Sequence, residues 1–159
     1  MISPLNTYEQ KAESILFHNK YMVVSTSDSE GNPWGAAVFY VFDEKYNFYF
    51  LSAMDSLHAK NAMETHKVSL VIFDSTVPLG SYDEVQVEGK ISAISGPELK
   101  KAIDLYCKKL FPGSTVPSTE RYKPSDYGEG AEFRFFKVVI SKAFTTGPDR
   151  RVQVSLTKR

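Results

Sequence analysis

Short runs of large apolar residues punctuate this chain, some alternating with polar residues and some uninterrupted. Tyr21–Ser27 (YMVVSTS) is β-branched and ends at the turn signal Asp28-Ser29-Glu30-Gly31-Asn32-Pro33, so it predicts a strand entering a tight connection. Trp34–Phe42 (WGAAVFYVF) predicts a second strand, which turns at Asp43-Glu44-Lys45 into a third at Phe48–Ala53. Lys67–Asp74 (KVSLVIFD) is nearly continuously apolar, the pattern of a strand covered on both faces. Tyr82–Ser95 alternates Val85, Val87, Gly89 and Ile91 against Gln86, Glu88 and Lys90, predicting a long strand with one wet face and a bulge or bend at Gly89. Two last strands, Glu132–Phe144 and Val152–Leu156, are joined by Thr146-Gly147-Pro148-Asp149.

Helical spacing recurs between these runs. Thr7–His18 sets Ala12, Ile15 and Leu16 on one side, and a short helix is expected over Ser56–Thr65. Gly96-Pro97 opens a third helix with Glu98 in its first turn, Lys108 and Lys109 in its last and Pro112-Gly113 beyond. Its apolar side is Leu99, Ala102, Ile103, Tyr106 and Leu110. Ser114–Gly130, rich in Pro, Ser, Gly and Tyr, is expected to be a loop with at most one helical turn, long enough to cover a site. Antiparallel strands on short turns, with helices inserted among them, predict a barrel-like α+β domain over residues 1–159 rather than a parallel sheet.

Charge narrows the partners. The 19 basic and 19 acidic residues cancel, so no overall field draws the chain to nucleic acid or to an anionic membrane. Cys107 is the single cysteine, which excludes an intrachain disulfide and a thiolate cluster. The longest apolar run, Ala36–Phe42, is far short of a membrane span, and MISPLNTYEQ lacks a basic and apolar leader, so a cytoplasmic protein is expected. Aromatic residues make up 13% of the chain, more Tyr and Phe than a small core calls for, and an excess of this kind can line a pocket for a flat ligand.

The chemistry-bearing residues are few. His58 and His66 are two helical turns apart, too far to bind one metal directly from a continuous helix, and no metal site is expected. Cys107 lies mid-helix with no histidine near in sequence, so it reads as packing. Gly-x-Ser-x-Gly, Walker and Gly-x-Gly-x-x-Gly motifs are absent. What remains is "FYFLSAMDSLHAKNAMETHKVSLVIFD", in which an aromatic strand dissolves into small residues and enters a helix. Ser56, the neighbouring amides, His58 and Lys60 could together hold a phosphate there, with the imidazolium form of His58 adding charge, while Ser52 and Ala53 let a ligand approach the backbone. The same residues admit a plain reading, in which Asp55 or Ser56 caps the helix, His58 is a surface histidine and Lys60 is solvated; the residue pattern does not choose between them.

The succession "SEGNPWGAAVFYVFDEKYNFYFLSA", "DSLHAKNAMETHKVSLVIFD" and "VQVEGKISAIS" resembles the pyridoxamine 5′-phosphate oxidase-like, FMN-binding split-barrel superfamily. Within it, "SLHAKNA" and "FRFFKVVISKAFTTG" are similar to a small, uncharacterised bacterial branch. The likeness covers residues 21–95 well and the C-terminal strands loosely. It implies a six-stranded antiparallel split β-barrel with flanking helices, a homodimer, and FMN in a groove between the chains. By this resemblance Ala36, Ala37, Val38, Phe39 and Tyr40 lie along the flavin ring, and Ser52 and Ala53 stand beside the ring and ribityl chain. Ser56, Leu57 and His58 match a Ser-Arg-Lys phosphate turn, so Leu57 replaces the arginine and His58 the lysine, leaving Lys60 as the nearby fixed cation. Glu84 stands where the oxidases use a glutamine, with Gln86 two residues on and on the same face. The oxidases' C-terminal Arg-x-His element is absent from "GPDRRVQVSL", so vitamin synthesis is not supported. Arg150 and Arg151 are expected near the dimer groove, where they either meet a phosphate or carboxylate or form a solvated surface pair, and Phe133, Phe135 and Val139 are expected in the core.

Three functions compete on these grounds. The leading one is an FMN-binding flavoprotein, in its catalytic form an oxidoreductase whose flavin takes electrons from a nicotinamide cofactor or another protein; no catalytic side chain is named. The second is a non-enzymatic module for weakly held flavin, haem or another flat ligand. The third keeps the barrel with an empty groove, on the ground that Leu57 has displaced the arginine.

Overall fold

The computed structural model describes residues 4–156, with side chains from residue 7 onward. In chain order the elements are α1 (Pro4–His18), β1 (Tyr21–Ser27), β2 (Pro33–Phe39), β3 (Val41–Phe42), β4 (Phe48–Ala53), α2 (Leu57–Thr65), β5 (Lys67–Phe73), β6 (Glu84–Ala93), α3 (Gly96–Leu110), α4 (Ser118–Arg121), a 3-10 turn at Pro124–Tyr127, β7 (Phe133–Thr146) and β8 (Arg151–Val154). All pairings are antiparallel, in the order β2-β1-β5-β6-β7-β4-β3, with β8 on β7. The two ends of that order, β2 and β3, are successive parts of one stretch of chain broken only at Tyr40, so the sheet curls back on itself as a split barrel. Taking β2 and β3 as one strand gives the six expected, and β8 adds a short edge strand.

Curvature has a local cause at Gly89. The β6–β7 register shifts between Glu88 and Gly89, and a Cβ at Gly89 would stand 2.6 Å from the Val139 carbonyl oxygen and 2.8 Å from Val138 Cγ1. Only glycine lets the two backbones approach this closely at the bulge.

The barrel interior is filled by Met22, Val24, Phe48, Phe50, Leu70, Ile72, Val87, Ile91 and Phe136. Phe50 and Phe136 stack there with ring centroids 5.3 Å apart, and burying each such ring contributes about 1.5–3 kcal/mol. α1 brings Ala12 and Leu16 to this interior at one end, where Tyr46 donates to Glu13, and α2 brings Ala59 and Ala62 at the other, where Thr65 donates to the Ser27 carbonyl. A second cluster lies outside the barrel, where Leu99, Ala102, Ile103 and Tyr106 of α3 cover Val41, Tyr49 and Phe135.

Two burial expectations change. The apolar run of β5 buries Val68, Leu70 and Ile72 but leaves Ser69 and Phe73 exposed, because in one chain only its inner face is covered. β4 and β7 are the strands covered on both faces, since α3 packs on their outer side. Along β7, Phe135 is buried, whereas Phe133 and Val139 are exposed; α3 covers only the middle of that face, and the core positions are Phe135, Phe136 and Val138. The segment 114–130 holds α4 and the 3-10 turn, and its Tyr122 and Tyr127 meet Phe135 edge-on, at 6.5 and 5.5 Å between centroids. It therefore covers the outer cluster. Among the described residues no helix is long and apolar enough to cross a membrane.

Candidate functional site

The split in the barrel originates at Tyr40. β3 and β4 pair as Val41↔Tyr49 and Phe42↔Phe48, and continuing that register would set Val38 against Ser52 and Ala37 against Ala53. Instead β2 pairs with β1, from Tyr21↔Phe39 to Ser27↔Pro33. Tyr40 is pulled out of the β4 ladder: its amide donates to Lys20 O (3.2 Å), its hydroxyl to Leu16 O (2.7 Å), and its carbonyl accepts from Lys109 Nζ (2.9 Å). The Lys109 ammonium lies 4.0 Å from the Tyr40 ring centroid, and its burial brings its pKa down to about 8. Two strand edges are thus left facing each other without ladder bonds. Gly35, Ala36 and Ala37 line one, and Ser52 and Ala53 the other, so little side chain keeps a ligand from the backbone.

Of the residues expected along a flavin ring, Ala36 and Ala37 are accessible from this split. Val38 and Tyr40 point into the barrel core, and Phe39 is held edge-on by Tyr21 and Tyr106, with centroids 6.1 and 5.0 Å away. The side chains of these three are thus already engaged, by inward alternation and by the α3 cluster, and are not free to line the split.

At the mouth of the split, Ser52 Oγ lies 2.7 Å from His58 Nε2, and Ser56 Oγ lies 3.3 Å from both atoms. Ser56 holds the N-cap position of α2 in extended backbone, yet its hydroxyl donates to Ala53 O at 2.7 Å and no side chain caps the helix. The first-turn amides, with the partial positive charge of the helix start, are therefore open. Asp55 is exposed and does not cap α2, so the plain reading fails on that point. His58 is half-buried beside Phe50, and burial lowers its pKa below 6.5. At neutral pH it is consequently a neutral hydrogen-bonding partner, half-buried where the plain reading has a surface histidine. Leu57 is 47% exposed and Lys60 is exposed.

Glu84 and Gln86 lie elsewhere. Gln86 Nε2 donates to Glu84 Oε1 at 2.7 Å, and Arg151 Nη1 donates to Gln86 Oε1 at 3.2 Å. Arg151 also sits 4.7 Å from the centre of the Phe144 ring. Arg134 pairs with Ser52 while Thr145 pairs with Val85, so eleven residues of β7, roughly 36 Å of strand at about 3.3 Å each, separate the two groups. Gln86 instead shares a cross-sheet row with Val71, Val23 and Ala37. That row belongs to neither core cluster, and exposed Tyr21 and Phe73 flank it. It runs into a groove of about 390 Å³ lined by Phe73, Val77, Leu79, Tyr82 and Glu84.

Sequence reading missed Arg134. It stands directly opposite Ser52 on β7, in phase with the inward-facing Phe136 and Val138. Its Nη2 donates to Ile94 O at 3.0 Å, and its Nε is buried with no hydrogen-bond partner. A charged residue on the buried phase of "FRFFKVV" is the signal that could have found it.

The family model of pyridoxamine 5′-phosphate oxidase matches residues 8–144, which include the split, the α2 turn and all four strands of the outer row. The chain belongs to this family. A UPF0306 protein of Pasteurella multocida (strain Pm70) is 32% identical over 92 residues, covering 57% of this chain and 62% of the relative. A haem-binding protein of Mycobacterium smegmatis superposes with a TM-score of 0.71 at 16% identity, over 93% of this chain and 57% of that one. The haem storage protein of Vibrio cholerae gives 0.68 at 15% identity, over 86% and 93%. The chain thus spans less than two thirds of the length of the Pasteurella and Mycobacterium proteins. At these identities the two structures show that the family's fold is shared.

Proposed function

We propose that the protein is an FMN-binding flavoprotein, its whole chain one ligand-binding unit, acting as a homodimer. The observation that carries this reading is the uncapped start of α2: Ser56 gives its hydroxyl to Ala53, leaving the first-turn amides free for an anion beside the small-residue split. Family membership supports a flavin as the flat group. The residues fit it, with Ala36, Ala37, Ser52 and Ala53 admitting a ring close to two strand edges and Ser56, His58 and the amides meeting a phosphate. Bound FMN would supply hydride chemistry. The chain's part is to orient the ring, exclude water and hold the phosphate, and no side chain is assigned as general acid or base.

The homodimer is supported by the uncovered outer face: a second copy packed over exposed Tyr21 and Phe73 and the half-buried Val23 and Val71 would bury that row and bring its own Glu84–Gln86 pair toward the first chain's split. Light scattering should give twice the chain mass of 17.9 kDa; a monomer across micromolar concentrations would overturn the shared site. The catalytic form of the proposal is an oxidoreductase in a cytoplasmic setting, tested by anaerobic bleaching of the bound flavin with NADH or NADPH. Pyridoxamine phosphate oxidation is not proposed, since no Arg-x-His element follows β7 and Arg151 is engaged by Gln86 and Phe144.

The second reading is a haem-binding module, which the two fold neighbours favour. Against it, the one histidine at the split already has its Nε2 2.7 Å from Ser52 Oγ.

A further inference from the structure

We propose that Arg134 supplies the guanidinium for the anion held at the α2 turn, a role the sequence of the turn itself leaves vacant at Leu57. The inference rests on the flavin reading for the identity of the ligand, and on Arg134 alone for the residue.

Ser52 and Arg134 are directly paired across β4 and β7, which puts their Cβ atoms about 5 Å apart on the same face of the sheet. Ser52 hydrogen-bonds His58 on that face, so the arginine rises from the strand next to the turn. Among the described residues one of its donors is accounted for, the Nη2 bond to Ile94 O, and the neighbouring Nε is buried and unpaired. A buried donor without a partner costs about 1–3 kcal/mol, and Arg134 Nε is the buried side-chain atom in that state among the described residues. Among the described residues no carboxylate forms an ion pair with Arg134, although Lys11, Lys101, Lys137 and Lys142 all have one. An anion at the open amides of α2 would answer both deficits, the orphaned N–H and the uncompensated charge. The Ile94 bond then fixes one arm of the fork while the rest of it serves the ligand. The phosphate cation has in effect moved from the helix turn to the facing strand.

The test titrates FMN, riboflavin and inorganic phosphate into the full-length apoprotein, using wild type, Arg134→Met and Arg134→Lys. Arg134→Met should weaken FMN by roughly ten- to a hundredfold and leave riboflavin unchanged, because riboflavin lacks the phosphate. Arg134→Lys keeps the charge without the fork and should fall between. Equal weakening of FMN and riboflavin, or an unchanged FMN affinity in both variants, overturns the role and leaves Arg134 as a strap to Ile94. Should wild type bind neither flavin, the flavin reading fails by itself. The phosphate titration then decides for Arg134: binding to wild type that Arg134→Lys weakens and Arg134→Met abolishes supports it, and any other pattern overturns it.

Discussion

On the proposed reading, Leu57→Arg gives the turn the guanidinium that the resemblance to the oxidases implies for a phosphate site there. Leu57 is the first residue of α2 and is 47% exposed, so replacing it forfeits at most about 0.8–1.6 kcal/mol of burial and should leave the fold intact. A guanidinium at this position would meet a phosphate seated on the first-turn amides, and a hydrogen bond to a charged group contributes about 1.5–3 kcal/mol, or roughly ten- to a hundredfold in Kd. Arg134 sits opposite Ser52 on β7, and on its proposed role as a phosphate donor the upper end of that range is a ceiling. Quenching of flavin fluorescence on titration into apoprotein reads the effect directly. FMN should tighten while riboflavin, with the same ring and ribityl chain, stays constant. Equal tightening of both, or none for FMN, would refute a phosphate at this turn.

Other perturbations test the surroundings. Burial by itself would raise the pKa of Asp43, but hydrogen bonds from Asn47 and Lys101 hold it at about 2 against an ordinary 3.8. Its folded value is the lower one, so about 2 kcal/mol of stability is present above pH 3.8 and lost as the pH falls toward 2. Urea melts of Asp43→Asn should lack that acid-side loss, and an unchanged profile would contradict the assignment. His58 also titrates lower in the folded state, so its contribution is present above pH 6.5 and declines as the pH drops below it; His58→Gln should flatten this decline and weaken FMN more than riboflavin. Gly89→Ala should cost about 1–3 kcal/mol in thermal or urea melts, because its Cβ would meet the Val139 carbonyl at 2.6 Å, whereas Gly128→Ala, with nothing nearer than 3.9 Å, should be nearly silent.

The strands were legible because their ends carry turn chemistry. Asp28 to Pro33 and Asp43 to Asn47 close on Asp side chains that accept nearby amides, and such signals are local. The Gly89 bulge was legible for a similar reason, as a glycine interrupting an alternating run. What escaped depends on partners distant in sequence. The run at β5 looks like that at β4, but whether a second face is covered is decided by where α3 docks. The burial of His58 comes from Ser52 and Phe50 and is not visible in its own turn, and Arg134 escapes a local reading because only the β4–β7 register brings it to Ser52. The split itself follows from Tyr40 finding its partners on α1, α3 and the residue before β1.

The central claim is that the split and the α2 turn of this pyridoxamine 5′-phosphate oxidase family member hold FMN. The visible spectrum of the protein reconstituted in parallel with FMN and with haem, followed by acid release and identification of whatever stays bound after gel filtration, tests it most directly. The account predicts a flavin spectrum, one released FMN per chain, and no Soret band that survives competition from FMN. A stable Soret band with no retained flavin, or a colourless protein under both conditions, would contradict it.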